Sequence, residues 1–231
     1  MNEHPSFLVF QTLPHFFESR GLVLPEGNSF DIRRERFITE LELIGYFRVD
    51  ARSSQNGDYK IVTIIVLALS GKYTDHGPQL RGLIASLNSE DFARAGRLSE
   101  VIIIAPEDIM KKKNMTDVIS DFSGAVALKK GTPGTLEGPP PAAESYTMYP
   151  YPMFSFNVPK AQNVPEHEIL TDAQVQSLLT YMRLGIRDLP RIPSSSPPVV
   201  WIGGRAGDVV SIKQPSKTAG LAYNYCVVTQ G

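Results

Sequence analysis

Apolar positions recur at helical spacing first in Ser6–Ser19, where Pro14 should break or kink the helix because proline lacks an N–H and clashes with the preceding turn. A second helix is expected from a Ser29 N-cap to about Leu43, with Phe30, Phe37, Leu41 and Ile44 on one side and Gly45 as the stop. Three strand patterns follow: a short alternating run at Tyr46–Ala51, a long β-branched one at Tyr59–Leu69, and a compact apolar one at Val101–Ala105. Between the last two, Leu80, Leu83, Ile84 and Leu87 mark a helix over Pro78–Asn88, and helical spacing resumes near Thr116–Phe122. Strands alternating with helices predict an α/β layer built on a mixed or partly parallel sheet.

Gly131–Ala143 is rich in proline and glycine and has almost nothing to bury, so it reads as a surface excursion. The aromatic run Tyr146–Val158 reads as one more strand, placed at an edge by Pro150 and Pro152. After Pro159 the pattern changes. Thr171-Asp172-Ala173-Gln174 is a capping box ahead of an apolar stripe of Val175, Leu178, Leu179 and Met182, and Gly185 should end that helix. Pro198–Ile202 and Asp208–Gln214 read as strands joined by the glycine-rich turn Gly203–Gly207. In Leu221–Val228, Leu221, Tyr223, Tyr225 and Val227 alternate with Ala222, Asn224, Cys226 and Val228, the pattern of a closing strand. Two domains result, residues 1–158 and 159–231, the second a small α+β unit with a mostly antiparallel sheet. At roughly 70 residues it is too small to be very stable unless it packs on something else.

The bulk numbers narrow the function. The 231 residues carry 42% hydrophobic side chains, enough for real cores, and a formal net charge of −1. With a pI near 6.4, any contact with nucleic acid must be local rather than global. The single cysteine, Cys226, cannot form an internal disulfide; it fits a reducing compartment and a buried core thiol. The N-terminus lacks the order of a signal peptide, and the longest apolar run, Ile61–Leu69, is nine residues, so a soluble intracellular protein is expected.

Few motifs carry chemistry. Ser70-Gly71-Lys72 lacks the first glycine of a phosphate loop, since Val66 stands there. The four histidines, His4, His15, His76 and His167, show no metal-ligand spacing. Asp50 with Asp58-Tyr59-Lys60 loosely imitates the acid, acid-x-lysine layout with which metal-dependent nucleases hold Mg²⁺ and place a lysine by the attacking water. A solvated turn explains that pattern better. Lys111-Lys112-Lys113 lies just ahead of the helix expected from Thr116, where a helix N-terminus and cations together could seat a phosphate. A solvated loop is the plain alternative.

From Val164 onward the chain carries Val164-Pro165-Glu166-His167, Leu178-Leu179, Leu189-Pro190-Arg191-Ile192, Pro197, Gly203, Gly207-Asp208-Val209-Val210, Ile212 and Ser216-x-Thr218-Ala219-Gly220. In order and spacing these words resemble the C-terminal domain of the RNA polymerase subunit 5 family, which has an archaeal counterpart. The family's acidic residue before the first strand is Ser196 here, the glutamate of its Ser-Glu-Thr word is Lys217, and arginines near the final strand are replaced by Leu221 and Cys226, which implies a partner surface changed in step. The N-terminal part is similar, by element order and Gly45-Tyr46-Phe47-Arg48, to the eukaryotic-type jaw domain, restriction-nuclease-like in fold but inactive. The wording Met148-Tyr149-Pro150-Tyr151-Pro152 and Pro197–Arg205 resembles the version encoded by large cytoplasmic DNA viruses of the asfarvirus type.

The resemblance implies a non-catalytic subunit of a multisubunit DNA-dependent RNA polymerase, bound to the largest subunit and forming part of the downstream jaw. The docking candidates it supplies are His167, Leu189, Pro190, Arg191, Ile192, Pro197, Gly203, Gly207, Ser216, Thr218 and Gly220; Lys111, Lys112 and Lys113 are the DNA-contact candidates. No cofactor and no membrane are implied. The partners expected are the largest and other polymerase subunits and downstream double-stranded DNA. A viral subunit would reside in the virion and host cytoplasm, a cellular one in the nucleus. Two other classes stay open: a metal-dependent nuclease that retained the jaw fold, and a transcription adaptor.

Overall fold

A computed structural model describes residues 4–24, 30, 33–53, 60–69, 77–91, 97–131, 143–216, 218 and 220–230, and of 124–131 the backbone alone. The chain divides into two compact units, Met1–Ser155 and Phe156–Gly231.

The first unit begins with helix α1 (Pro5–Ser19), which runs through Pro14 without a break. An interior proline costs roughly 3 kcal/mol, whereas burying one large apolar side chain returns about 1.5–3. Phe7, Val9, Phe10, Leu13, Phe16 and Phe17 are all buried, so packing outweighs the proline. Strand β1 (Leu22–Val23) follows, then helix α2 (Arg34–Ile44), and Gly45 stops α2 with φ of 93° as its N–H donates to the Leu41 carbonyl at 2.7 Å. The expected Ser29 cap lies outside the described residues, and Phe30 precedes the helix.

Strands β2 (Tyr46–Ser53), β3 (Ile61–Leu67), β4 (Leu98–Ala105) and β5 (Ser145–Pro150) complete a sheet of order β1-β2-β3-β4-β5. The first two pairings are antiparallel and the last two parallel, which makes a mixed sheet with β5 at its edge. Parallel neighbours need long crossovers. Helix α3 (Gly77–Asn88) lies between β3 and β4; the short α4 (Glu107–Met110) and the long α5 (Lys113–Gly131) lie between β4 and β5. Every residue of β3 is buried, because both faces of the sheet are covered. Ile65, Leu67, Val101 and Ile103 pack against Leu80, Ile84, Met115 and Val118 of α3 and α5; on the other face Ala68 and Phe47 meet Phe7 and Phe10 of α1 and Phe37 and Leu41 of α2.

The aromatic segment is divided differently from the expected single strand: Tyr151–Phe154 leaves β5 as a 3-10 turn. There the buried Tyr151 hydroxyl donates to the Leu67 carbonyl, and Thr12 donates to the Phe154 carbonyl. The two ends of the expected excursion, Gly131 and Ala143, belong to the folded unit. Gly131 still belongs to α5 and Ala143 is buried in the core; residues 132–142 lie outside the described ones.

The second unit holds strands β6 (Glu166–Ile169), β7 (Arg191–Pro193), β8 (Val209–Ser216) and β9 (Gly220–Thr229) in the order β6-β8-β9-β7. Its sheet is antiparallel except for the β7–β9 pair. Helix α6 (Asp172–Met182) has the expected capping box, Thr171 Oγ1 accepting from the Gln174 N–H at 3.4 Å and Gln174 Oε1 accepting from the Thr171 N–H at 2.8 Å. Arg183, not Gly185, takes the left-handed position after it, at φ 54°; Gly185 instead opens a 3-10 turn at Ile186–Asp188.

Pro198–Ile202 is not a strand. It belongs to helix α7 (Pro197–Ile202), with Pro197 in its first turn and Gly203 closing it at φ 78°. Val199, Val200 and Trp201 are buried, and Val199 meets Val210 and Val228 in the core of this unit. Cys226 is only half-buried rather than a core residue, with its thiol pKa pushed up by partial burial.

Candidate docking surface

Strand alternation gives the second sheet two faces. On one, Ile169, Ile192, Val210, Ile212 and Val228 close over Val199 and Ile202 of α7. The other is read from the register: Leu170 continues β6 beside Val209, Val209 pairs with Val227, and Val227 with Arg191. The next rows are Glu168–Ser211–Tyr225 and Glu166–Lys213–Tyr223. Helix α6 lies alongside, and Leu170, Ala173, Gln174, Ser177, Leu178, Ser211, Tyr223 and Tyr225 line a groove of about 440 Å³.

This face is covered only in part, Val209 and Ser211 being buried. No residue of α6 is buried, although the helix is capped and carries an apolar stripe. Tyr181 is 88% exposed, Tyr223 52% and Leu221 50%; Met182, Leu184 and Ile186 are exposed too. Val175, Leu178 and Leu179 of the predicted stripe are half-buried. An ion pair on this face, Lys213 with Glu166 at 2.9 Å, is exposed and raises the lysine pKa.

Most of the eleven docking candidates turn out to hold the fold. Leu189 is buried, and the Pro190 carbonyl accepts from the Val227 N–H at 2.8 Å. Ile192 points into the core. Gly203, Gly207 and Gly220 have φ of 78°, 102° and 72°, a backbone region that favours glycine. The Gly207 N–H donates to the Val228 carbonyl at 2.9 Å. Pro197 starts α7, while Ser216 and Thr218 bring their hydroxyls within 3.3 Å at the β8–β9 turn. His167 is half-buried with Nδ1 at 2.7 Å from the Pro165 carbonyl. Arg191 is different: it is exposed and, among the described residues, carries no ion pair. The groove residues Leu170, Ser177, Tyr223 and Tyr225 were absent from the candidates. The alternation in Leu221–Val228 was the signal for the two tyrosines; Leu170 and Ser177 had none.

In the first unit the lysine run spans the junction of α4 and α5. Lys111 is exposed, its Nζ 3.8 Å from Glu107; Lys112 is half-buried; Lys113, also exposed, is the first residue of α5. The helix therefore starts three residues before the expected Thr116, because the Lys112 carbonyl already accepts from the Met115 and Thr116 N–H groups. The acidic constellation is engaged elsewhere. Asp50 accepts from Thr63 at 2.7 Å and pairs with Arg48 at 2.8 Å, and the Arg48 guanidinium also clasps both oxygens of Glu90. Burial opposes the charge on Arg48, but these carboxylates win and raise its pKa. Lys60 pairs with Glu144 at 2.7 Å, and Asp58 lies outside the described residues.

Comparison with known proteins agrees with this division. The RNA polymerase Rpb5 C-terminal domain family matches residues 156–228. The chain is 32% identical over 211 residues to the DNA-directed RNA polymerase RPB5 homolog of a Kenyan pig isolate of African swine fever virus, covering 91% of each. It is also 32% identical to the homolog from a Malawian tick isolate, again over 91% of both chains. The DNA-directed RNA polymerase subunit Rpo5 of Thermococcus kodakarensis is 43% identical over 75 residues, which is 32% of this chain and 92% of that protein. On the identity across nearly its full length, the chain belongs to the RPB5 family of DNA-directed RNA polymerase subunits.

Proposed function

We propose that this chain is a non-catalytic structural subunit of a viral polymerase, docked onto the largest subunit through residues 159–231. The first domain, residues 1–158, then forms part of the jaw around downstream DNA. The observation that carries the docking role is the partly uncovered face of the second sheet. A capped helix with no buried residue, flanked by exposed tyrosines, makes sense when another chain covers it. A structural role is supported by Asp50, whose carboxylate is already held by Arg48 and Thr63 and so is poorly placed to bind Mg²⁺. The lysines at the α4–α5 junction are the proposed DNA contacts. Similarity to African swine fever virus proteins supports a site of action in the virion and host cytoplasm.

The test is reconstitution. A folded fragment starting near Pro159 should join a polymerase assembled without this subunit. A folded fragment that stays unbound while the full chain joins would place the docking surface in the first domain.

A further inference from the structure

The partly uncovered sheet face has a polarity that narrows what can cover it. Its β6 side is acidic: Glu166 is neutralised by Lys213 at 2.9 Å, and Glu168 is exposed. Its β7 side carries Arg191, exposed and with no ion pair among the described residues. The order β6-β8-β9-β7 puts three strand spacings, about 14 Å, between Glu168 and Arg191, so they cannot pair. Between them lies the groove lined by Leu170, Ser177, Leu178, Tyr223 and Tyr225.

Strand β7 is an edge, but its backbone makes a poor template for another strand. The Pro190 carbonyl and the Ser194 N–H bond inward to β9, which turns positions 191 and 193 outward, and the second is proline. The handle on this edge is thus the Arg191 side chain, a planar fork suited to a carboxylate. Tyrosine and arginine are also the side chains that most often dominate binding at protein interfaces.

Resting on the docking role proposed above, we infer that this face is a two-point cradle for one segment of another polymerase subunit. The groove takes an apolar side chain of that segment, and Arg191 takes a carboxylate beside it. Arg191 is registered with Val227, two residues beyond Tyr225 on the neighbouring strand. That puts the two Cα positions about 8 Å apart, close to the reach of two residues of extended chain. The occupant is therefore an extended stretch with an apolar residue and an aspartate or glutamate two positions away, the acid lying over β7.

The test uses the full chain and a polymerase assembled without it. Arg191→Glu and Tyr223→Ser change exposed side chains; Leu43→Ser, at a position 84% exposed on α2, serves as the control. Each groove-face variant should lower affinity for the polymerase at least tenfold, Arg191→Lys should lose less than Arg191→Glu, and Leu43→Ser should bind as wild type does. Circular dichroism verifies that each is folded. Wild-type affinity in both folded Arg191→Glu and Tyr223→Ser would overturn the cradle and leave the docking role standing. Failure of the wild-type chain to bind would remove both. A wild-type dimer that Arg191→Glu dissociates, seen by sedimentation, would reassign the face to a second copy of this chain and overturn the inference.

Discussion

Replacing Lys111, Lys112 and Lys113 together with alanine tests whether the first domain meets DNA. Each lysine that neutralises a phosphate releases a counterion and contributes about 0.9 to the slope of log affinity against log salt. Three full contacts would set an upper limit near 2.7. The structure argues for less. Lys112 is half-buried, so Lys111 and Lys113 are the two that can reach a duplex freely. Glu107 lies 3.8 Å from Lys111, but this pair is exposed and holds its lysine weakly. The expected loss of slope is therefore about 1.8. Between 50 and 200 mM salt, that difference changes the affinity ratio of wild type to variant by roughly 12-fold. The assay is a salt titration of downstream-duplex affinity on assembled polymerase, repeated with unrelated sequences, since phosphate contacts position a duplex without reading it. The variant should be slightly more stable on its own, because lysines at a helix start oppose its dipole. Parallel salt lines for the two polymerases would refute the reasoning and leave the lysines as a solvated junction.

Arg20→Met should destabilise the first unit by about 3–5 kcal/mol, because it leaves the largely covered Glu100 without its partner at 2.8 Å, the two side chains being only 9% and 13% exposed. Adding Glu100→Gln should recover part of that in urea denaturation, and a loss under about 1 kcal/mol for the single variant would count against the pair. Burial holds the Tyr151 phenol above its ordinary value, so its contribution is fully present below about pH 10 and is lost as pH rises toward the higher folded value. Tyr151→Phe should cost about 1 kcal/mol at pH 7 and flatten the loss of stability above pH 10, read as denaturation midpoints across that range. Gly207→Ala forces a side chain into φ of 102° and should destabilise the second unit by about 1 kcal/mol or more, read as a lower denaturation midpoint; an unchanged midpoint would show that the turn relaxes.

Elements governed by local chemistry were legible in the sequence. The Thr171 capping box, the Gly45 stop and the β-branched run of β3 all fold as their residue types dictate. The misreadings came where two local rules compete or where distant packing decides. Pro198-Val199-Val200-Trp201-Ile202 is a short apolar run that periodicity cannot assign, and the proline before it and Gly203 after it make it a helix. Pro14 obeys the local rule less than it obeys the aromatic core around it. Arg183 takes the left-handed turn that Gly185 was expected to supply, and Glu166–Ile169, four residues of mixed polarity, gave no strand signal. The groove was illegible for a further reason: Leu170, Ser177, Ser211 and Tyr225 come from separate elements, and only strand pairing brings them together. Arg191 was supplied by the family resemblance, and its exposed place on an edge strand follows from the pairing of β7 with β9.

The most direct test of the account is purification of the tagged full-length chain from its native source, with quantification of what accompanies it. A structural polymerase subunit should bring down two very large polymerase subunits in equal amount with itself, through salt washes that remove nucleic acid. Recovery of the chain alone, with Mg²⁺-dependent DNA cleavage abolished by Asp58→Ala, would contradict it.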